Sequence, residues 1–291
     1  MREYQYNPLE SLKFQGAPRY GLYFGVELEV ERKEICRKWS ASFFDALTTN
    51  SVADQIEAVA AGFAICKYDG TLRHGYGIEV VTAPADLETH RREWVRLLSK
   101  ENRQKWGLMV SGRCGMHVHF SRAPLQPEWI GRLAQFVGEQ KELFVTIAGR
   151  ESPRYAAIIK KDPTCVGHVC GGYPFPSPNA CLNASGEFIV ERHNNRYDAL
   201  NVTKADTVEL RVFASTTRVG TLMRRLEFTA GLVWYMVETK GRMNREELLR
   251  FIWANRKELP RIARYLKGLY GGVASNCAST KTRLEPAATS G

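Results

Sequence analysis

The chain has 291 residues, 44% of them hydrophobic, which is enough for one substantial core in one large domain or two small ones. Its formal net charge of +10 favours anionic partners such as nucleotides, nucleic acid or acidic metabolites, yet lysine and arginine are dispersed and no long run of like charge marks a nucleic-acid arm. No run reaches the ~18 apolar residues of a membrane-spanning helix, and the opening MREYQYNPLESLKFQG lacks the apolar stretch of a secretion signal, so a cytoplasmic protein without membrane contact is expected. The seven cysteines (Cys36, Cys66, Cys114, Cys165, Cys170, Cys181 and Cys277) are odd in number and scattered, which suits a reducing compartment rather than a disulfide framework.

In chain order, residues 1–20 read as an irregular lead-in and GLYFGVELEVE (21–31) as a strand rich in Val, Leu and aromatics. Helical spacing covers 41–62 up to Gly62, a strand covers 63–69 with a turn at Asp69-Gly70, and GIEVVTAP (77–84) is a strand closed by Pro84. Residues 87–105 carry Leu87, Trp94, Leu97 and Leu98 among charges, as an amphipathic helix does. CGMHVHFS (114–121) is a short strand, and a helix follows over 127–149, with Pro127 at its start and Gly149 at its end. Residues 150–195, rich in Pro, Gly, Asn and Cys, form a loop or hairpin excursion. Residues 199–215 read as two strands joined near Lys204–Asp206, and 221–239 and 244–269 as helices. The small, polar tail from 274 to 291 is expected to be disordered. The hairpin-like strand pairs argue for an α+β, mainly antiparallel sheet in one domain spanning 21–273.

Side chains two apart on a strand share a face. Glu27 and Glu29 therefore lie on one side of their strand, with Val26, Leu28 and Val30 on the other. The pattern recurs with Glu79 in GIEVV, with His117 and His119 in MHVHF, and with Glu209 and Arg211 in VELRVF. Such a face is either the solvated side of a half-exposed sheet or a metal–phosphate site. Like charges on adjacent strands destabilise a sheet unless cations offset them, and hard ions such as Mg²⁺ take carboxylate oxygens while leaving positions for phosphate and water.

These blocks, in this order, resemble the amidoligase family, relatives of glutamine synthetase and glutamate–cysteine ligase. FGVELEVE resembles its opening strand, YDGTL its Asp-Gly-Ser-type turn and GIEVVTAP its glycine–glutamate strand. CGMHVHFS resembles its Cys-Gly-x-His-Val-His strand, and RYDALN followed by TVELRVFAST its closing Arg…Asn and Glu-x-Arg segments. The resemblance covers about residues 21–240, while 150–195 matches no block and is expected to shape a substrate pocket. It implies a curved antiparallel sheet of glutamine synthetase type with helices on its outer face and the active site on its concave face. It also implies that ATP phosphorylates a carboxylate, an amine attacks the acyl phosphate, and an amide forms.

For such chemistry Glu27, Glu29, Glu79, His119 and Glu209 are the expected metal ligands, shared by two or three Mg²⁺ ions that neutralise the repulsion between ATP and the carboxylate. His117 is expected to ligate a metal or contact a phosphate. Arg211 is expected to face the transferred phosphoryl group, Arg196 to bind phosphate or the substrate carboxylate, and Asn201 to orient one of them. Asp69 is either the general base for the amine or a turn residue before Gly70.

Cys165, His168, Cys170 and Cys181 offer four ligands for a structural Zn²⁺, against the alternative of free cysteines packed as small hydrophobes. A Cys114–His117 nucleophile pair is disfavoured because the two differ in strand parity. No P-loop or GxGxxG fingerprint is present. The competing expectations are a kinase on the same sheet, or an inactive relative that binds nucleic acid or another anionic partner.

Overall fold

The computed structural model describes residues 1–3, 6–33, 48–152, 156–158, 181–182, 188–189 and 197–271. In chain order its elements are β1 (Phe24–Arg32), α1 (Thr49–Ala60), β2 (Ala64–Lys67), β3 (Gly77–Thr82), α2 (Leu87–Leu97), α3 (Lys100–Trp106), β4 (Leu108–Met109), β5 (Gly115–Ser121), α4 (Pro127–Glu139), α5 (Lys141–Ala148), β6 (Cys181–Leu182), β7 (Phe188–Ile189), β8 (Leu200–Asn201), β9 (Thr207–Ala214), α6 (Val219–Glu238), α7 (Arg245–Ala254) and α8 (Pro260–Tyr270).

Strand alternation decides how these elements assemble. Val26, Leu28 and Val30 of β1 are at most 1% exposed. They share one apolar cluster with Val118 of β5, Leu210 of β9, Val52 and Ile56 of α1, Trp94 of α2, Leu133 of α4, Phe144 of α5 and Leu226 and Phe228 of α6. Each such side chain contributes roughly 1.5–3 kcal/mol on burial, so the even-numbered face of β1 must be covered by helices. The result is one open sheet in the order β2-β3-β1-β5-β9-β8, with β4 also on β1 and every pairing antiparallel. β6 and β7 form a separate antiparallel pair within the 150–195 segment. The fold is thus α+β with a mainly antiparallel sheet. No described helix is long and apolar enough to cross a membrane.

A bulge lets β9 serve both faces. The register shifts between the pairs Met116–Phe213 and Val118–Leu210, so Arg211 and Val212 together stand opposite His117. Leu210 and Phe213, three apart, can then both enter the core, while Glu209 and Arg211 stay on the other face.

Several element boundaries depart from the sequence expectation. The first helix begins at Thr49 behind the Thr48 cap, whose hydroxyl accepts from the Ser51 N–H; residues 41–47 lie outside the described residues. The helix expected over 87–105 is two, because Ser99 caps a new helix by accepting from the Asn102 N–H. The helix expected over 127–149 divides at Gln140 (φ −102°, ψ 34°). The 244–269 helix is also two, with Pro260 opening the second. There the fully buried Glu227 of α6 acts as a cap, accepting from the backbone N–H groups of Arg261 (2.7 Å) and Ile262 (3.1 Å). β4 carries no sequence signal in two residues.

The lead-in does more than precede the sheet. Leu12 packs with Ile65, Val81 and Ala83 on the face opposite the helices, and Arg2 and Gln15 bridge to Lys67 and Ala85. The described residues of this lead-in thereby wall one side of that face. The tail from 274 to 291 lies outside the described residues, as do Arg196, Cys165, His168, Cys170 and the Cys181 side chain, so the zinc expectation falls there too.

Candidate active site

The register brings the odd-numbered side chains of six strands together. Lys67 stands opposite Glu79, and Glu79 opposite Glu29. Glu27 stands opposite His117. His119 faces Glu209, which in turn faces Asn201. Unlike a solvated sheet face, this one is largely closed: Glu29, Glu79, His117, Asn201 and Glu209 are all buried.

Two clusters of potential metal donors result. Glu27, His119 and Glu209 form one, and Glu29, Glu79 and Asp69 the other; in each, the donor atoms lie within 4.8 Å of one another. His117 sits between them. Its Nδ1 is 3.0 Å from Glu27 Oε2 and 3.4 Å from Glu209 Oε1, and its Nε2 is 3.8 Å from Glu29 Oε1. Asn201 Nδ2 donates to Glu209 Oε2 at 2.8 Å, and its own oxygen accepts from Thr203. Arg211 donates to Glu209 Oε1. Asp69 caps its own turn by accepting from the Thr71 N–H and hydroxyl, as the turn reading expects, while also joining the second cluster.

The electrostatics differ along the row. Burial pushes Glu27 and Glu209 up, but the combined attraction of His119, His117 and Lys204 outweighs it and holds both below the ordinary carboxylate range. At the other end burial dominates: Glu29 is raised, and Glu79 is raised well above its ordinary value by burial and by the neighbouring Glu27 charge. Paired carboxylates that cannot share their negative charge freely are a donor set suited to a divalent cation. Two buried atoms argue the same way. Glu79 Oε2 has no hydrogen bond, and His119 Nε2 lies 3.1 Å from Glu27 Oε1 but outside hydrogen-bonding geometry. Buried polar atoms are normally satisfied, so the residues present fit Mg²⁺ ions held in both clusters.

Three cations of the site escape the sequence reading. Lys67 has the parity of Ile65 on β2 and lies 4.0 Å from Glu79 Oε2, a position that strand alternation could have found. Lys204 reaches Glu27 Oε1 and Glu209 Oε2 at 3.6 Å from the turn before β9. Arg150 arrives from the residue after Gly149 at the end of α5, where nothing in the local sequence marks it. Cys114 is buried and its thiol is pushed up by burial, which removes it as a nucleophile.

Cavities open at both ends of the row. One of about 320 Å³ adjoins Glu27, His119, Lys67 and Lys204 and has an aromatic wall of Phe14 and Tyr23, whose rings meet edge-on at 4.8 Å. Another of about 370 Å³ lies beyond Gly115 and is lined by Arg150 and several serines.

A family model described as "Putative amidoligase enzyme" matches residues 23–233, which contain every described carboxylate, imidazole and basic side chain of the site named above. No curated protein matches the chain. With most of the chain matched, from β1 to the middle of α6, the protein belongs to the amidoligase family.

Proposed function

We propose that this protein is an ATP- and Mg²⁺-dependent carboxylate–amine ligase, on a sheet of the glutamine synthetase and glutamate–cysteine ligase type. The observation that carries the reading is the gathering of carboxylate and imidazole groups from β1, β3, β5 and β9, with Asp69, into two compact clusters of buried and half-buried donors. Family membership supports an amide-forming enzyme.

In this reading Glu27, His119 and Glu209 hold one Mg²⁺, and Glu29, Glu79 and Asp69 a second. The ions supply charge neutralisation between the nucleotide and the acid. Arg211 is anchored to Glu209 and turns its remaining guanidinium N–H groups to the transferred phosphoryl group. Asn201 orients Glu209. Lys204, exposed on its turn and held charged by Glu27 and Glu209, binds a nucleotide phosphate at the mouth of the aromatic-walled cavity. The γ-phosphoryl group passes to an oxygen of the acid and ADP leaves. The amine then attacks the acyl carbon, loses a proton, and inorganic phosphate departs. Asp69, tied into its turn, serves the second cluster rather than the proton transfer. Arg196 keeps the phosphate or carboxylate role that the resemblance implies.

The test is ADP release measured with Mg²⁺ against panels of acids paired with amino acids, polyamines, peptides and modified nucleotides. Dependence on both an acid and an amine supports the ligase. Steady phosphate release without any amine identifies a kinase-like reaction instead. No ATP turnover with any pair, together with salt-dependent DNA binding, identifies a binding protein. Glu27→Ala and Glu209→Ala are expected to abolish turnover in a folded protein, and activity within a few-fold of the parent overturns the metal assignment.

A further inference from the structure

Among the described residues, Arg150 is held by neutral partners alone. Its Nε donates to the Val212 carbonyl at 3.4 Å and its Nη1 to the Cys114 carbonyl at 3.1 Å. Those two bonds fix the plane of the guanidinium, and Nη2 makes no hydrogen bond to a described residue. A Cβ on Gly115 would fall 2.8 Å from Arg150 Nη2, 3.1 Å from His117 Nε2 and 3.3 Å from Glu29 Oε2. Nη2 therefore stands at the end of the carboxylate–imidazole row, where only a glycine leaves it room. The surrounding field attracts it through Glu29 and repels it through Arg211, whose own Nε is buried and unpartnered.

A half-buried guanidinium with no anionic partner among the described residues is stabilised when a ligand supplies one. The adjoining cavity of about 370 Å³ is the place for it, with Ser111, Gly112, Cys114, Ser152 and Ser215 around Arg150. Glu151 on its rim is paired with Lys141 and does not neutralise Arg150. Among the described residues the lining contains no aromatic ring, in contrast to the Phe14–Tyr23 wall at the opposite end of the row. A small polar cavity with a fixed fork suits a carboxylate, which a guanidinium grips through paired N–H groups.

We propose that this cavity is the subsite for the acid substrate, a small organic carboxylate bound by Arg150 with Arg211 beside it. The assignment rests on the ligase reading for the word substrate, but binding of the carboxylate does not require turnover.

The experiment uses the full-length chain freed of metal, titrated calorimetrically with acetate, glutarate, citrate and inorganic phosphate, and separately with a nonhydrolysable ATP analogue plus Mg²⁺. Wild type and the exposed control Arg132→Gln are expected to bind at least one carboxylate equally. Arg150→Gln is expected to weaken it about tenfold or more, with Arg150→Lys in between. The nucleotide analogue is expected to bind Arg150→Gln within about two-fold of wild type, which also shows that the variant is folded. Unchanged carboxylate binding in Arg150→Gln, or no carboxylate binding by wild type, overturns the proposal. So does an Arg150-dependent preference for phosphate alone, or a loss confined to the nucleotide. If wild type binds the acid through Arg150 but never the nucleotide, the subsite stands and the ligase reading falls.

Discussion

Glu29 and Glu79 stand directly opposite one another on adjacent antiparallel strands, 5% and 3% exposed. Like charges in that relation destabilise a sheet by up to ~1 kcal/mol, and burial raises both carboxyl groups. Replacing Glu79 by Gln removes the repulsion and keeps the shape. The metal-free Glu79→Gln protein is therefore expected to be as stable as wild type or up to ~1 kcal/mol more so. It should also lose the rise in Tm that Mg²⁺ gives wild type. Thermal unfolding with and without Mg²⁺ checks both halves, and a wild-type response to Mg²⁺ removes Glu79 from the metal set.

Arg211 is fixed to Glu209 by one nitrogen, and in the proposed mechanism the rest of its planar fork meets the phosphoryl group. Lysine supplies one point charge and cannot do both tasks. Arg211→Lys is expected to lower kcat by about a hundredfold or more, in line with the loss of a charge-assisted phosphate contact, while Tm changes little. Steady-state ADP release alongside a melting curve decides it; near-normal kcat removes Arg211 from the phosphoryl site.

Gly115 donates its backbone N–H to Glu29 and leaves space filled by Arg150 and His117. A methyl group there must displace at least one of them. Gly115→Ala is expected to cost about 1–3 kcal/mol through overpacking and to weaken Mg²⁺ stabilisation, because Glu29 and His117 shift. Urea unfolding with and without Mg²⁺ reads both effects. An unchanged Mg²⁺ response with normal stability means that the crowding is relieved without touching the donors.

His90 is fully buried, with Nε2 donating to the Phe24 carbonyl at 2.8 Å and Nδ1 accepting from Trp94 Nε1 at 3.2 Å. Both nitrogens are committed in the neutral form, and burial pushes the imidazole down to about 4. The unfolded chain takes up this proton below about 6.5, so between those values the unfolded state binds more protons. Stability is then complete above pH ~6.5 and falls as pH drops toward ~4, by ~3 kcal/mol in all. Urea unfolding of wild type and His90→Gln across this range isolates the contribution, since the wild-type slope should exceed that of the variant. Parallel curves contradict the assignment.

Much of the site was legible because strand parity is a property of the sequence. Glu27 and Glu29, His117 and His119, and Glu209 and Arg211 each declare a shared face by spacing alone. Capping was harder to read. Ser99 divides one expected helix through a single side-chain bond, and Glu227 caps α8 from 34 to 35 residues away in the chain through its bonds to Arg261 and Ile262.

By itself the sequence determined which side chains share a face and which strands carry ionisable groups, since both follow from the two-residue repeat of an extended chain. Only the tertiary structure decided which faces meet. The antiparallel register set Glu29 against Glu79 and His119 against Glu209. The β9 bulge let Leu210 and Phe213 share the core while Arg211 stayed on the site face. Arg150, Lys204 and the N-terminal wall reached the site from segments distant in the chain. Contacts of that kind arise from packing the whole core, and no local pattern encodes them.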